Sequence, residues 1–122
     1  MSPSLVAMVE TEPAHATLID YHLKKMGINV QSFESGQAFL HTYTTAPVDV
    51  YMISDQLDDL PIELVLQEIE TLNEKKTIII MTTSHLTPYQ SDLHDILYIR
   101  KPFSLKEFRD CVEPLFLQSN CV

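Results

Sequence analysis

One stretch of the sequence, residues 48–54 (VDVYMIS), constrains the fold more than any other. It is mostly apolar, rich in β-branched and aromatic residues, and contains no helix breaker and no regular polar alternation. Such a run is typical of a strand that is buried on both faces, as in a parallel sheet. Polar residues follow it at once. Because ligands gather at the carboxyl ends of strands in open α/β sheets, residues 54–59 are the first place to look for function.

Length and charge limit the possible function classes. A chain of 122 residues is long enough for one domain with a buried core, which we place at about residues 4–117 of a domain spanning 1–122, with a short C-terminal tail. The 8 Lys and Arg residues and 17 Asp and Glu residues give a formal net charge of −9, which argues against nucleic acid or an anionic membrane as partner. Cys111 and Cys121 indicate reduced thiols, and no apolar run approaches membrane-spanning length, so we expect a cytoplasmic protein.

Strands and helices alternate along the chain. Apolar runs predict strands at residues 5–9, 28–33, 48–54, 76–82 and 96–99. Pro13 and Pro61 are expected to open helices, Ser35 to cap a helix that ends near residue 43, and apolar residues at helical spacing predict a last helix at 105–115. Gly27 suits the left-handed position after the first helix.

Two prolines weaken the predicted helices near the C-terminus. Pro88, with several Ser, Thr and Asp residues, allows only a short fourth helix between residues 83 and 95, and Pro114 should kink the last helix or end it early. The alternation predicts a single three-layer α/β/α domain of flavodoxin-like type, with a five-stranded parallel sheet of order 2-1-3-4-5. The carboxyl ends of its strands then bring together Glu10, Ser54, Thr82 and Lys101.

At this point the chain resembles, over nearly its full length, the receiver domain of two-component response regulators, the CheY-like fold. Residues 10–13 (ETEP) fall where that family has its acidic residues and a proline. Residues 49–57 (DVYMISDQL) match the strand that carries the phospho-accepting aspartate. Thr82, the aromatic Tyr98 and residues 101–103 (KPF) match three further positions. The resemblance implies a non-enzymatic module of bacterial phosphorelay signalling.

The match departs from the family at the phosphorylation site itself. In this register the acceptor position is Ser54, and the second acid after the first strand is Thr11. The resemblance then leaves Glu10 and the Gln56 carbonyl as magnesium ligands, with Asp55 as another weak candidate, so we expect magnesium binding to be weak or lost and no other cofactor. A serine hydroxyl is a poor nucleophile without a base, and we expect no histidine near this edge of the sheet.

Asp55 is the alternative acceptor. It lies one residue late, and a slip of one residue turns a side chain to the other face of a sheet, although a bulge at Ser54 would turn it back. Without an aspartate at Ser54, we expect Lys101 to bond Glu10, Asp55 or the Ser54 hydroxyl. Thr82 either only caps the end of its strand or serves as a ligand. Tyr98 is expected to be half-buried and to pack against its neighbours. The five histidines show no metal-ligand spacing.

Three functions from different classes remain open. The first is an atypical receiver that binds proteins independently of phosphorylation, through a face around Ile96, Tyr98 and Glu107. Its net charge favours a partner with a basic patch, and a weak homodimer through the same face is the alternative. The second is a receiver phosphorylated on Asp55. The third is a flavin-binding or catalytic flavodoxin-like protein, although the chain lacks a Gly-rich first loop.

Overall fold

Five parallel strands form a single sheet in the computed structural model, which describes residues 5–41, 48–72, 74–83, 91 and 94–117. The strands are β1 (Leu5–Val9), β2 (Asn29–Phe33), β3 (Val50–Ser54), β4 (Thr77–Thr82) and β5 (Asp95–Arg100). Every neighbouring pair is parallel, and the order is β2-β1-β3-β4-β5. The predicted sheet order is confirmed.

Four helices connect or follow these strands in the described residues: α1 (Pro13–Lys25), α2 (Gly36–His41), α3 (Ile62–Glu70) and α4 (Leu105–Leu117). Pro13 opens α1, and the Ser35 hydroxyl accepts a hydrogen bond from the Ala38 amide at 3.0 Å, as the sequence predicted. Pro61 is the residue before α3 rather than its first residue. The predicted extension of α2 to residue 43 and most of the predicted short helix between residues 83 and 95 lie outside the described residues.

The ends of α1 and α4 test two predictions made from Gly and Pro. Gly27 has φ +81°, so it takes the left-handed position after α1, as predicted. α4 continues through Pro114 to Leu117, so the predicted early end is wrong. Buried Phe108 and Val112 pack α4 against the sheet, and such packing holds a helix together through a residue of poor helix propensity.

The helices cover both faces of the sheet. On one face, α1 and α4 pack against Met8, Met52 and Met81; on the other, α2 and α3 pack against Ile53 and Ile80. Because successive strand residues point to opposite faces, Ser54 belongs to the α1–α4 side. None of the helices in the described part of the chain is long and apolar enough to cross a bilayer.

A buried histidine joins three segments next to β5. The His94 side chain accepts a hydrogen bond from the Lys76 amide at Nδ1 (2.9 Å), and its Nε2 lies 3.1 Å from the Ile69 carbonyl oxygen. Since an amide must donate to Nδ1, the proton is on Nε2 and is donated to that carbonyl. His94 therefore fixes the end of α3 and the start of β4 to the start of β5.

Candidate functional site

Lys101 lies at the centre of a polar cluster at the carboxyl edge of the sheet. Its Nζ donates to Glu10 Oε1 at 2.7 Å and to Ser54 Oγ at 3.0 Å. These are two of the three partners expected from the sequence. The Glu10 side chain is 1% exposed and that of Lys101 15%, while Ser54 is fully buried. β1, β3 and the segment after β5 thus bring an acid, a hydroxyl and a cation into contact.

His15 is a member of this cluster that the sequence reasoning missed. Its Nδ1 lies 2.6 Å from Glu10 Oε1, and its ring lies against Phe103 with 5.1 Å between centroids. The expectation that no histidine lies near this edge was therefore wrong. A signal was available: Pro13 fixes the start of α1, and helical side chains tilt toward the N-terminus, so the third helical residue points back to the end of β1.

The Glu10 carboxylate is held in its charged form by its neighbours. Burial by itself raises the pKa of Glu10, but hydrogen bonds from Lys101, His15 and the Glu12 amide, with the charge of Lys101, bring the pKa below its ordinary value of 4.5. The Glu12 amide donates to Oε2 at 3.2 Å. Both oxygens of the carboxylate are consequently engaged.

Thr11 and Gln56 meet at the border of the same cluster. The Thr11 hydroxyl lies 3.5 Å from the Gln56 carbonyl oxygen, the atom that the family resemblance assigned to the metal site. The loops that follow β1 and β3 therefore meet at this point. In the described residues, no group of three or more His, Cys, Asp or Glu side chains is placed to hold a metal ion.

Asp55 points to a different partner from Ser54. Its Oδ2 accepts a hydrogen bond from Thr82 Oγ1 at 2.5 Å, and its amide donates to the Met81 carbonyl at 3.0 Å. The pairing of β3 with β4 is regular up to Ser54, so these residues lack the bulge that would turn Asp55 toward Lys101. Asp55 Oδ1 is buried and has no hydrogen-bond partner in the described structure.

The two acids that follow in the loop have different surroundings. Asp59 accepts hydrogen bonds from the Gly36 amide at 3.0 Å and the Gln37 amide at 2.8 Å. The bond from Gln37 is the largest cause of a lowered Asp59 pKa. Acids in such a loop commonly favour the helix that follows them, but Asp59 caps the N-terminus of α2 instead. It thereby attaches the loop after β3 to the neighbouring helix.

The residues predicted for the interaction face lie on β5 and α4. Tyr98 is 40% exposed, and Ile96 is partly buried against the α2–α3 side of the core. Glu107 is exposed, as predicted, but it also closes a capping box: the Ser104 amide donates to its Oε1 at 3.1 Å, and its own amide donates to the Ser104 hydroxyl at 3.0 Å. A charge reversal at Glu107 made to test partner binding would therefore destabilise the start of α4 as well.

The fold first defines the class of protein, a three-layer α/β/α domain of flavodoxin-like type. A doubly wound parallel sheet carries a lysine–carboxylate pair and two strand-end hydroxyls, Ser54 and Thr82, at the edge where such folds place their chemistry.

The comparisons with known proteins then define the family. The response regulator receiver domain family matches residues 6–113, and the chain belongs to this family. A response regulator receiver domain protein from Bacillus halodurans C-125 is 36% identical, with a TM-score of 0.84 over 93% of this chain and 97% of that one. The receiver domain of Methylobacillus flagellatus (19% identity, TM-score 0.78, 93% and 99% covered) and TrrA of Thermotoga maritima (23%, 0.75, 93% and 99%) share the fold. A search of curated proteins found no match.

Proposed function

We propose that this receiver domain of two-component signalling is atypical, and that it acts by binding a protein partner without being switched by phosphorylation. One observation carries the proposal: the side chain in contact with Lys101 Nζ at the end of β3 is the Ser54 hydroxyl, where the family resemblance expects the acceptor carboxylate. The Ser54 hydroxyl accepts hydrogen bonds from Lys101 Nζ at 3.0 Å and from the Gln56 amide at 3.4 Å. No base among the described residues is bonded to it, so it is a weak nucleophile.

The residues present fit magnesium poorly. Magnesium requires near-octahedral oxygen ligands and usually one or two carboxylates. Here Glu10 is the carboxylate of the cluster, and its two oxygens are bonded to Lys101, His15 and the Glu12 amide. Thr11 contributes a neutral hydroxyl where the family has its second acid. We propose that the domain requires neither this ion nor any other cofactor. We also propose that it is a cytoplasmic protein and not an enzyme.

Phosphorylation of Asp55 is the second candidate, and its geometry is unfavourable. Attack on a phosphodonor requires a free carboxylate oxygen at the surface. Asp55 Oδ2 is bonded to Thr82, and Oδ1 is buried. The loop after β3 would have to move before either oxygen could meet a donor, and Asp59 attaches that loop to α2.

Phosphotransfer from a small donor separates the two candidates. The purified chain is incubated with acetyl phosphate and magnesium, and its intact mass is recorded. We expect no added phosphate. An adduct that hydroxylamine removes and that Asp55→Asn abolishes would be an acyl phosphate on Asp55, and it would establish the second candidate. An adduct that resists hydroxylamine and is lost in Ser54→Ala would be a serine ester and would refute both.

A gain-of-function variant serves as the positive control. Because Thr11 lies 3.5 Å from the Gln56 carbonyl and Ser54 contacts Lys101, the double change Thr11→Asp with Ser54→Asp restores two carboxylates around one carbonyl. We expect this variant to bind magnesium with beryllium fluoride, the complex in which TrrA of Thermotoga maritima was crystallised, whereas the natural chain does not. Calorimetric titration of both proteins measures the difference.

The proposed partner surface is the edge of the sheet at β5 with the start of α4, around Ile96, Tyr98 and Glu107. A net charge of −9 favours a partner with a basic patch and would mainly speed the encounter. Glu107→Gln removes a charge but keeps an oxygen for the capping box, so it tests binding without breaking the cap. Glu63→Gln on α3 removes the same charge elsewhere.

The partner test compares these two variants. Affinity purification with the natural chain as bait, quantified by mass spectrometry, should recover a basic protein whose yield falls with Glu107→Gln and is unchanged with Glu63→Gln. Sedimentation velocity then tests the homodimer alternative. A dimer that Glu107→Gln dissociates, without any recovered partner, would identify the face as a self-association surface.

A further inference from the structure

β2 is an edge strand of the sheet: β1 lies on one side of it, and the described residues place no strand on the other. Native edge strands are commonly protected by charged side chains or proline, which discourage pairing with another chain. β5, the opposite edge, begins at Asp95, ends at Arg100 and is followed by Lys101 and Pro102. β2, with the sequence NVQSF, contains neither a charged residue nor a proline. It is therefore the edge that is better suited to pairing with another strand.

The backbone of β2 directs polar groups away from the sheet. The Phe33 carbonyl accepts a hydrogen bond from the Glu10 amide at 3.2 Å, so the backbone groups of Phe33 face β1. Successive residues of a strand direct their amide and carbonyl groups to alternate sides. Those of Gln31 therefore also face β1, whereas those of Val30 and Ser32 face outward. Two amides and two carbonyls are thus placed to bond a further strand.

These outward groups are self-complementary about a two-fold axis at Gln31. When two copies of β2 run antiparallel with Gln31 opposite itself, Val30 of each copy lies opposite Ser32 of the other. Each of these two pairs exchanges two hydrogen bonds, because both of its residues direct their backbone groups toward the other copy. The same surface patch on both copies is what a two-fold symmetric dimer requires.

The charges beside β2 favour the same antiparallel arrangement. Exposed Glu34 follows the strand directly, and α1 ends with exposed Lys24 and Lys25 shortly before the strand begins. Antiparallel pairing brings the end of β2 in one copy beside the start of β2 in the other, so Glu34 comes near the two lysines of the other copy. A parallel pairing would bring Glu34 near Glu34 of the other copy instead. The edge therefore fits a second copy of this chain in one orientation.

We propose that this domain forms a homodimer in which the β2 edges of two copies pair antiparallel, so that the two five-stranded sheets become one continuous sheet. The contact consists of one short strand and the neighbouring parts of α1 and α2, and an interface of that size forms a reversible dimer rather than a permanent one. It lies at the opposite edge of the sheet from the proposed β5 partner face, which stays free in the dimer. Either proposal can therefore fail alone.

Sedimentation velocity over a range of protein concentrations tests the dimer, for which we expect a Kd on the order of 100 μM. The two Gln31 side chains lie close together across the two-fold axis, because directly opposed residues without mutual hydrogen bonds approach most closely. Gln31→Lys and Gln31→Glu each place two like charges there, so both should weaken the dimer by about fivefold or more. In a mixture of the two variants opposite charges meet, and dimers with one copy of each should form at least as readily as the natural dimer.

Matched variants locate the interface. Gln67→Lys and Gln67→Glu are the controls for charge, since Gln67 is an exposed residue of α3, and neither should change the dimer. Ser32→Pro removes an outward amide but keeps the bonds to β1, so it should weaken the dimer by at least as much as the Gln31 variants. Ser32→Ala keeps that amide and should leave the dimer intact. Circular dichroism verifies that each variant is folded.

Three results would overturn the proposal. The first is a chain that stays monomeric up to a concentration of about 1 mM. The second is a dimer that Gln31→Lys and Gln31→Glu affect in opposite directions or not at all, because Gln31 would then not lie on the two-fold axis. The third is a dimer that Glu107→Gln dissociates while both Gln31 variants leave it intact, which would assign self-association to the β5 face.

Discussion

The contact between Lys101 and Glu10 predicts a large loss of stability when the lysine is removed. In Lys101→Met the aliphatic part of the side chain is kept and the ammonium group is lost. The Glu10 carboxylate, 1% exposed, then stays in the protein interior without its nearest cation. We therefore expect the free energy of unfolding to fall markedly at neutral pH.

The magnitude follows from burial and from the remaining contacts. Removing one partner of a buried ion pair costs about 3–5 kcal/mol. Glu10 keeps its bonds with His15 and the Glu12 amide, so the lower end of that range applies, about 3 kcal/mol. For a domain of 122 residues this corresponds to a fall in Tm of roughly 10 °C.

Urea unfolding followed by circular dichroism measures the change. Lys106→Met is the matched control, because Lys106 forms an ion pair of 2.9 Å with Asp110 in which both side chains are largely exposed. We expect little or no effect from that control. The double variant Glu10→Gln with Lys101→Met should be more stable than Lys101→Met alone, since no buried carboxylate remains.

Two outcomes would refute this reasoning. If Lys101→Met destabilises no more than Lys106→Met, Glu10 does not depend on Lys101 for its charge. If the double variant is destabilised by the sum of both single changes, the two side chains do not interact, and the 2.7 Å contact has no energetic meaning.

Three further predictions concern stability. The folded pKa of Glu10 lies below 4.5, so the stability that its carboxylate contributes is complete above that pH and is lost as the pH falls through the folded pKa. The natural chain should therefore lose more stability than Glu10→Gln between neutral pH and about pH 3, and urea unfolding at each pH measures the difference. His94→Leu should lower the free energy of unfolding by about 2 kcal/mol or more, because a buried amide and a buried carbonyl lose their partner. The exposed control His41→Leu should change that free energy little in the same assay. Asp59→Ala should lower the Tm by uncapping α2, and Asp58→Ala should leave it unchanged.

Much of the fold could be predicted because its determinants are local. Central strands of a parallel sheet are buried on both faces, and the sequence records this as continuous apolar runs such as the one that ends at Ser54. The start of a helix can be predicted from a single residue, as at Pro13 and Ser35. Even the side of the sheet on which Ser54 lies follows from the two-residue period of a strand.

The sequence predicted the contacts of Lys101 with Glu10 and Ser54, but it did not predict two other contacts between segments. The pairing of His15 with Glu10 depends on the rotation of α1 about its axis, and the pairing of Asp59 with α2 depends on where one loop passes a helix of another segment. Neither is set by composition or spacing. The capping box of Glu107 is the exception, since Ser104 and Glu107 have the spacing of that motif and could have been recognised.

The side chains of the polar cluster are bonded to one another, and this determines which substitutions would allow it to bind a divalent cation. A cation that enters must displace Lys101 and His15 from Glu10, and in return it gains one carboxylate and the Gln56 carbonyl. Ser54→Asp alone adds an acid directly beside Lys101, so the lysine gains a second partner and holds the cluster more firmly. Thr11→Asp alone adds a charge near the carbonyl but leaves Lys101 on Glu10. Only the two changes together supply enough negative charge for a divalent cation to compete with a lysine, so their effects on magnesium affinity should exceed the sum of the single ones.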